Sequence, residues 1–105
     1  MRRILFLTTL LASPAFADDS ALLLGVQQYD ELGRPLDRTS VTEAAGAFAR
    51  VGIETIVGIN PTVAEMERLA DRFDRESSDA NRLVIGLSGF FATDGEATWF
   101  LGRDA

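Results

Sequence analysis

The sequence predicts an α/β fold with a mostly parallel sheet, and three observations lead to this expectation. Three short apolar segments, at 20–26, 53–59 and 83–87, have the length of strands, and the near-continuous hydrophobicity of 20–26 suits a strand buried on both faces. Two amphipathic segments with helical spacing lie between them. The order strand, helix, strand, helix, strand favours parallel pairing, right-handed crossovers and helices on both faces of the sheet. A chain of 105 residues has room for one such domain.

The first strand and the first helix are separated by a long polar segment. The strand is expected over 20–26 and a loop over 27–38. Thr39 or Ser40 is a suitable N-cap for a helix that runs to about Val51, because apolar residues recur at helical spacing in that interval.

The second helix follows directly on the second strand, expected over 53–59. Asn60 and Pro61 predict its start, because a cap residue before a proline at the first helical position is a common beginning. Its apolar stripe, typical of a core-facing helix, comprises Val63, Met66, Leu69, Ala70 and Phe73.

The last part of the chain predicts a third strand and a hairpin. The segment 83–87 is wholly apolar, which is typical of a central strand. Asp94 and Gly95 form a hairpin turn signal between the apolar segments 90–92 and 97–101.

The first 17 residues have the three parts of a secretory signal peptide. Arg2 and Arg3 precede an apolar stretch, 4–12, and a small-residue cleavage motif ends at Ala17. The apolar stretch is too short to span a bilayer, which takes about 20 residues. We therefore expect an exported protein, periplasmic or secreted after cleavage following Ala17, whose domain is 18–105 and has no membrane attachment.

The composition excludes several classes of function. The chain has no His and no Cys, so it offers neither a His-activated nucleophile nor a Cys/His zinc site. Sixteen acidic against ten basic residues argue against nucleic-acid binding. No loop carries the ligand series of a calcium site, and Asp94 is explained by the turn it forms. We therefore expect no metal, no cofactor and no nucleic-acid partner.

Several stretches together resemble one protein family. They are ALLLGVQQY at 21–29, NPTVAEM at 60–66, LVIGLSG at 83–89, DGE at 94–96 and the final Asp104-Ala105. The chain resembles, over 20–105, the amino-terminal part of a caspase-like domain of the bacterial metacaspase type. The resemblance implies a three-layer sandwich with strand order second, first, third, followed by a strand that bears a catalytic Cys.

The resemblance also implies a cysteine endopeptidase, but the sequence departs from the family at the catalytic motif. In the family, the third strand leads into Ser-Gly-His-Gly, whose His acts beside the Cys and whose last Gly helps to bind the oxyanion. Here the motif reads Ser88-Gly89-Phe90-Phe91. Phe90 takes the His position, Phe91 takes the oxyanion Gly position, and the Cys is absent. Both rings are also suited to simple packing at the edge of the hairpin.

The resemblance further implies a pocket for a substrate side chain. The family has an Asp near the first helix, and alignment back from Gly52 places it at Ser40, whereas alignment with a gap places it at Glu43. Ser88 begins the altered motif. Ser88, Ser40 and Glu43 are therefore the substrate-pocket candidates.

The expected function is non-catalytic, that of a pseudoprotease or binding module, or of a remnant of one. The resemblance also implies that the domain is incomplete. Such a domain leaves its third strand exposed, which makes a protein or peptide partner along that strand the expected interaction. One alternative is part of a caspase-type cysteine endopeptidase whose Cys lies in missing residues or in another chain. A second alternative is an unrelated small periplasmic α/β binding protein.

Overall fold

The computed structural model describes residues 18–35 and 41–105. The predicted signal peptide and the cap candidates Thr39 and Ser40 lie outside the described residues. Within them the predicted order of elements is confirmed, with boundaries that differ by at most three residues. The elements are β1 (Asp19–Gly25), α1 (Val41–Arg50), β2 (Glu54–Ile59), α2 (Val63–Glu76), β3 (Arg82–Ser88), β4 (Phe91–Thr93) and β5 (Thr98–Phe100).

The three long strands form one parallel sheet in the order β2-β1-β3. In its register, Leu22 of the central strand lies between Ile56 and Ile85. The hairpin strands β4 and β5 form a separate antiparallel pair in which Phe91 faces Phe100. The predicted α/β fold with a mostly parallel sheet is therefore confirmed.

The two helices cover opposite faces of the sheet. Side chains alternate along a strand, so neighbouring residues of β1 point to different faces. Val41 of α1 lies against Gly25, whereas Leu69 of α2 lies over Gly58 together with Leu24. Gly25 and Leu24 are neighbours, so α1 and α2 lie on different faces.

The core lies between β1, β2 and α2. All seven residues of β1 are buried. The residues clustered beneath α2, with the partly buried ones that pack on them, are Leu22, Leu24, Ile56, Phe73, Met66, Leu69 and Phe100. Full burial of one such side chain stabilises the fold by about 1.5 to 3 kcal/mol, so this cluster contributes several kcal/mol to stability.

Close approach of α2 to the sheet depends on Gly58 in β2. A Cβ atom built there would lie 2.6 Å from Cδ1 of Leu69 and 2.9 Å from Cδ2 of Leu24. Both atoms are the ends of leucine side chains in the core, so a larger residue at Gly58 would force these side chains to repack.

The helix α2 begins two residues later than the sequence predicts. Its N-cap is Thr62, whose hydroxyl accepts a hydrogen bond from the Glu65 N–H at 3.2 Å, while Oε1 of Glu65 accepts one from the Thr62 N–H at 2.9 Å. Hydrogen bonding of the Glu65 carboxylate to Thr62, above all to its backbone N–H, lowers the pKa of Glu65. The expectation of Asn60 as the cap is wrong, because the Asn60 side chain binds the backbone that follows β1.

The strand β3 lies at an edge of the sheet. Within residues 18–35 and 41–105 its only partner strand is β1. Leu83, Ile85 and Leu87 point to the face that α2 covers over β1 and β2, yet they are 57%, 59% and 40% exposed. The apolar pattern of 83–87 by itself is typical of a central strand, and that interpretation is wrong for the described chain, where β1 is central. The expectation that the third strand lies exposed at an edge is confirmed there. The same residues include no helix long and apolar enough to cross a membrane.

Candidate functional site

The carboxyl ends of β1, β2 and β3 meet at one edge of the sheet, where open α/β sheets commonly bind ligands. Three segments follow these strands there: 26–30, 60–62 and 89–91. The final segment, 101–105, also packs at this edge. We call this region the carboxyl-edge site.

Tyr29 is the centre of the carboxyl-edge site. It is 1% exposed, and its ring stacks on Phe90 with centroids 4.8 Å apart and planes 15° apart. Its hydroxyl accepts a hydrogen bond from the Phe90 N–H at 2.8 Å and donates one to the Leu101 carbonyl at 3.0 Å. Tyr29 therefore connects the end of β1 to the segment after β3 and to the end of the hairpin. Its hydroxyl already donates one hydrogen bond and accepts another within the chain.

The two phenylalanines of the altered motif both have aromatic partners. Phe90 is half-buried in the stack with Tyr29, and its carbonyl accepts a hydrogen bond from the Leu101 N–H at 3.0 Å. Phe91 is 51% exposed and lies 5.2 Å from Phe100, tilted by 51°. A phenyl ring has no proton to transfer, so both rings contribute packing here and no acid–base chemistry.

Gly89 is required where it stands between β3 and the stack. Its φ is +155°, and a Cβ atom there would lie 2.7 Å from the Tyr29 hydroxyl oxygen and 3.0 Å from Cε1 of Phe100. Any side chain at this position would separate the tyrosine from the hairpin.

Asn60 joins the ends of β1 and β2. Its Oδ1 accepts hydrogen bonds from the Gln27 N–H at 2.7 Å and the Gln28 N–H at 3.3 Å. Its own N–H donates to the Gly25 carbonyl at 2.7 Å. These contacts hold Asn60 at a φ of +51°, a left-handed conformation that asparagine tolerates better than most residues.

Arg103 binds the final segment, 101–105, to the carboxyl edge of the sheet. Its Nε donates to the Asn60 carbonyl at 2.9 Å, and its Nη1 donates to both carboxylate oxygens of Asp30 at 3.2 Å. Its Nη2 lies 3.9 Å from Oε1 of Glu65. One guanidinium therefore bridges the loop after β1, the end of β2 and the first turn of α2.

The N-terminus of α2 is occupied by the chain itself. Oδ1 of Asp104 accepts a hydrogen bond from the Val63 N–H at 3.0 Å. A helix N-terminus attracts anions through its free N–H groups and its dipole. Asp104 already supplies that negative charge, so this helix end offers no open position for a phosphate at Val63.

The structure places two of the three substrate-pocket candidates near the carboxyl edge. Ser88 is the last residue of β3, and its carbonyl accepts a hydrogen bond from the Val26 N–H at 2.8 Å. Glu43 is exposed in the first turn of α1, which begins beside Gly25. Ser40 lies outside the described residues.

Sequence reasoning missed the parts played by Tyr29, Asn60 and Arg103. Tyr29, the single tyrosine of the chain, lies shortly after an apolar strand, and that position was a usable signal for a buried hydroxyl. Arg103 gave no local signal, because its partners Asp30 and Asn60 are distant in sequence.

The side chains of the carboxyl-edge site hold neighbouring backbone segments in place, and among the described residues they do not form an acid–base pair. The described residues contain no group of three or more acidic side chains placed to hold a metal ion.

Comparisons with protein-family models, with curated proteins and with solved structures find no match to this chain.

Proposed function

We propose that this chain is an exported, non-catalytic caspase-like domain that binds an extended polypeptide segment along β3. The observation that carries the proposal is the row of exposed apolar side chains on this edge strand. The caspase-like part and the binding part rest on different features and are tested separately.

Three features support the caspase-like part. The strand order β2-β1-β3 is the second-first-third order that the resemblance implies. The two helices lie on opposite faces, as a three-layer sandwich requires. The Ser-Gly pair of the altered motif follows the third strand directly, and Phe90 fills the position of the family's His.

The binding part follows from the geometry of β3. Leu83, Ile85 and Leu87 alternate along one face, and no strand of residues 18–35 or 41–105 pairs with the outer edge beside them. An added strand would bond to the edge backbone and set its own alternate apolar side chains beside this row. A net charge of −6 favours a neutral or basic segment over an acidic one and over a second copy of this chain.

The binding experiment uses a synthetic seven-residue peptide of alternating valine and threonine with a lysine at each end. We expect its binding, followed by NMR, to shift amide signals within 82–88 first. The Leu83→Lys variant is expected to weaken binding at least tenfold, because it puts a charge in the apolar row. The matched control is Leu32→Lys, which changes a leucine that is 49% exposed in a loop, against 57% for Leu83, and should bind as the unaltered chain does.

Two outcomes would contradict the binding proposal: no binding by the unaltered chain, or equal loss in the two variants. The non-catalytic part is checked with peptides carrying Arg or Asp before the scissile bond. We expect no cleavage by the purified chain, and cleavage would favour the endopeptidase alternative.

A further inference from the structure

A second polar region lies at the opposite edge of the sheet, where the strands begin. A cavity of about 270 Å³ lies there and adjoins another of about 220 Å³ beneath the last turns of α2. We call the larger one the amino-edge cavity. Its polar lining residues are Asp18, Asp19, Ser20, Glu54, Glu76 and Asp79.

The carboxylates around the amino-edge cavity outnumber the cations that neutralise them. Asp19 binds Arg82 at 2.7 and 3.1 Å, and Glu76 binds Arg72 at 2.9 Å. Within the described residues the Asp18 carboxylate accepts a hydrogen bond only from the side-chain amide of Asn81, at 3.3 Å.

Two further carboxylates, those of Glu54 and Asp79, have no partner in the described part of the chain. The cavity therefore keeps an excess of negative charge. The C-terminal end of α2, where Ser77 caps the helix, adds the negative end of the helix dipole beside it.

A buried hydroxyl points independently to a bound group. Ser20 is 8% exposed, and its Oγ has no hydrogen-bond partner among residues 18–35 and 41–105. Ser20 is in register with Glu54 and two residues before Leu22, so its side chain faces α2 and the cavities beneath it. A buried hydroxyl without a partner is costly, so a ligand that donates to this oxygen would be stabilised.

We propose that the amino-edge cavity binds a primary ammonium group. An ammonium has three donors, which suit Ser20 and the two unpartnered carboxylates, Glu54 and Asp79. A metal ion is less suitable, because no three acidic groups of the described chain converge as ligands. The ammonium has two possible sources: the α-amino group that cleavage after Ala17 would create on Asp18, or a free amine. This inference does not depend on the function proposed for β3.

The experiment uses the exported chain as processed, and it has two arms. The first measures the pKa of the α-amino group by NMR. If Asp18 supplies the ammonium, we expect this pKa about half a unit above the ordinary range of roughly 7.7 to 8.0, and Glu54→Gln should return it toward that range. The control is Glu67→Gln, which removes an exposed carboxylate elsewhere on α2.

The second arm acetylates the α-amino group and titrates 1,4-diaminobutane while the Ser20 and Glu54 amide signals are followed. We expect saturable binding that Glu54→Gln weakens about threefold to fivefold and Glu67→Gln leaves unchanged. Asp79→Asn provides a second variant and is expected to weaken binding similarly. The proposal is overturned if neither arm responds, or if the two glutamine variants have equal effects.

Discussion

The strands β1 and β3 are similar in sequence and opposite in environment. Both are short, rich in leucine and other aliphatic residues, and paired in parallel along one shared edge. All of β1 is buried, whereas the apolar row of β3 is about half exposed. Hydrophobicity therefore predicts that a segment is a strand, but not how many of its sides are covered.

The difference arises from what lies beside each strand. β1 has a strand on each side, and its two faces lie under α1 and α2. β3 has one neighbouring strand within residues 18–35 and 41–105, and its apolar row lies beyond the cover of α2. Four predictions test this comparison, from the largest expected effect to the smallest.

The first prediction compares two residues that lie side by side on the same face. Leu22 is 4% exposed and Ile85 is 59% exposed. We expect Leu22→Ala to lower the free energy of unfolding by about 3 kcal/mol, because it leaves a cavity under α2. Ile85→Ala should cost less than about 1 kcal/mol. Urea unfolding measures both, and equal losses would mean that β3 is covered as β1 is. If Leu22→Ala fails to fold, Leu22→Val provides the milder version, at about 1 kcal/mol.

The second prediction concerns the hydrogen bonds of Tyr29, which connect the end of β1 to the residues that follow β3. Tyr29→Phe removes the hydroxyl that bonds the Phe90 N–H and the Leu101 carbonyl. We expect a loss of about 2 kcal/mol, because both backbone groups lose a partly buried partner. Amide hydrogen exchange should accelerate most at Phe90 and Leu101. Phe91→Tyr is the control, since it adds a hydroxyl to a half-exposed ring and should change stability little. A Tyr29→Phe variant as stable as the unaltered chain would contradict this account of the site.

The third prediction weakens the helix that covers β1. Thr62→Ala removes the hydroxyl of the capping box, and we expect a loss of about 1 kcal/mol. Thr62→Ser keeps the oxygen and should retain most of the stability. Because α2 packs on β1 and β2, amide protection should fall in those strands more than in β3. Equal loss of amide protection in all three strands would contradict the inference that α2 covers β1 and β2 but not β3.

The fourth prediction concerns acid and the hairpin beside β3. The N–H groups of Ala97 and Glu96 bind the Asp94 carboxylate at 3.0 and 2.9 Å and lower its pKa below the ordinary 3.8. A lowered pKa in the folded state stabilises the fold above about pH 4, and this contribution disappears as the pH falls through the folded value. Asp94→Asn should therefore lose less thermal stability than the unaltered chain between pH 6 and pH 3. Glu96→Gln, a change at the exposed neighbour, should keep the full loss, and identical acid profiles for all three chains would refute the assignment.

Local sequence patterns predicted the elements well, and the carboxyl-edge site poorly. The apolar runs and the helical stripes are local signals, so the order of strands and helices and the hairpin turn were predictable. The start of α2 was not, because both Asn60 and Thr62 are good caps and contacts outside the helix decide between them. Arg103 and Tyr29 gained their roles from partners more than 40 residues away.

The sequence by itself determined the class of fold, the sequence of elements and the absence of any His or Cys for catalysis. Each of these depends on residue type or on short-range periodicity. The tertiary structure alone decided how far the row Leu83, Ile85 and Leu87 is exposed, and that Tyr29 stacks on Phe90. Burial depends on which segments pack side by side in space, and similar apolar strands therefore differ in environment through their neighbours.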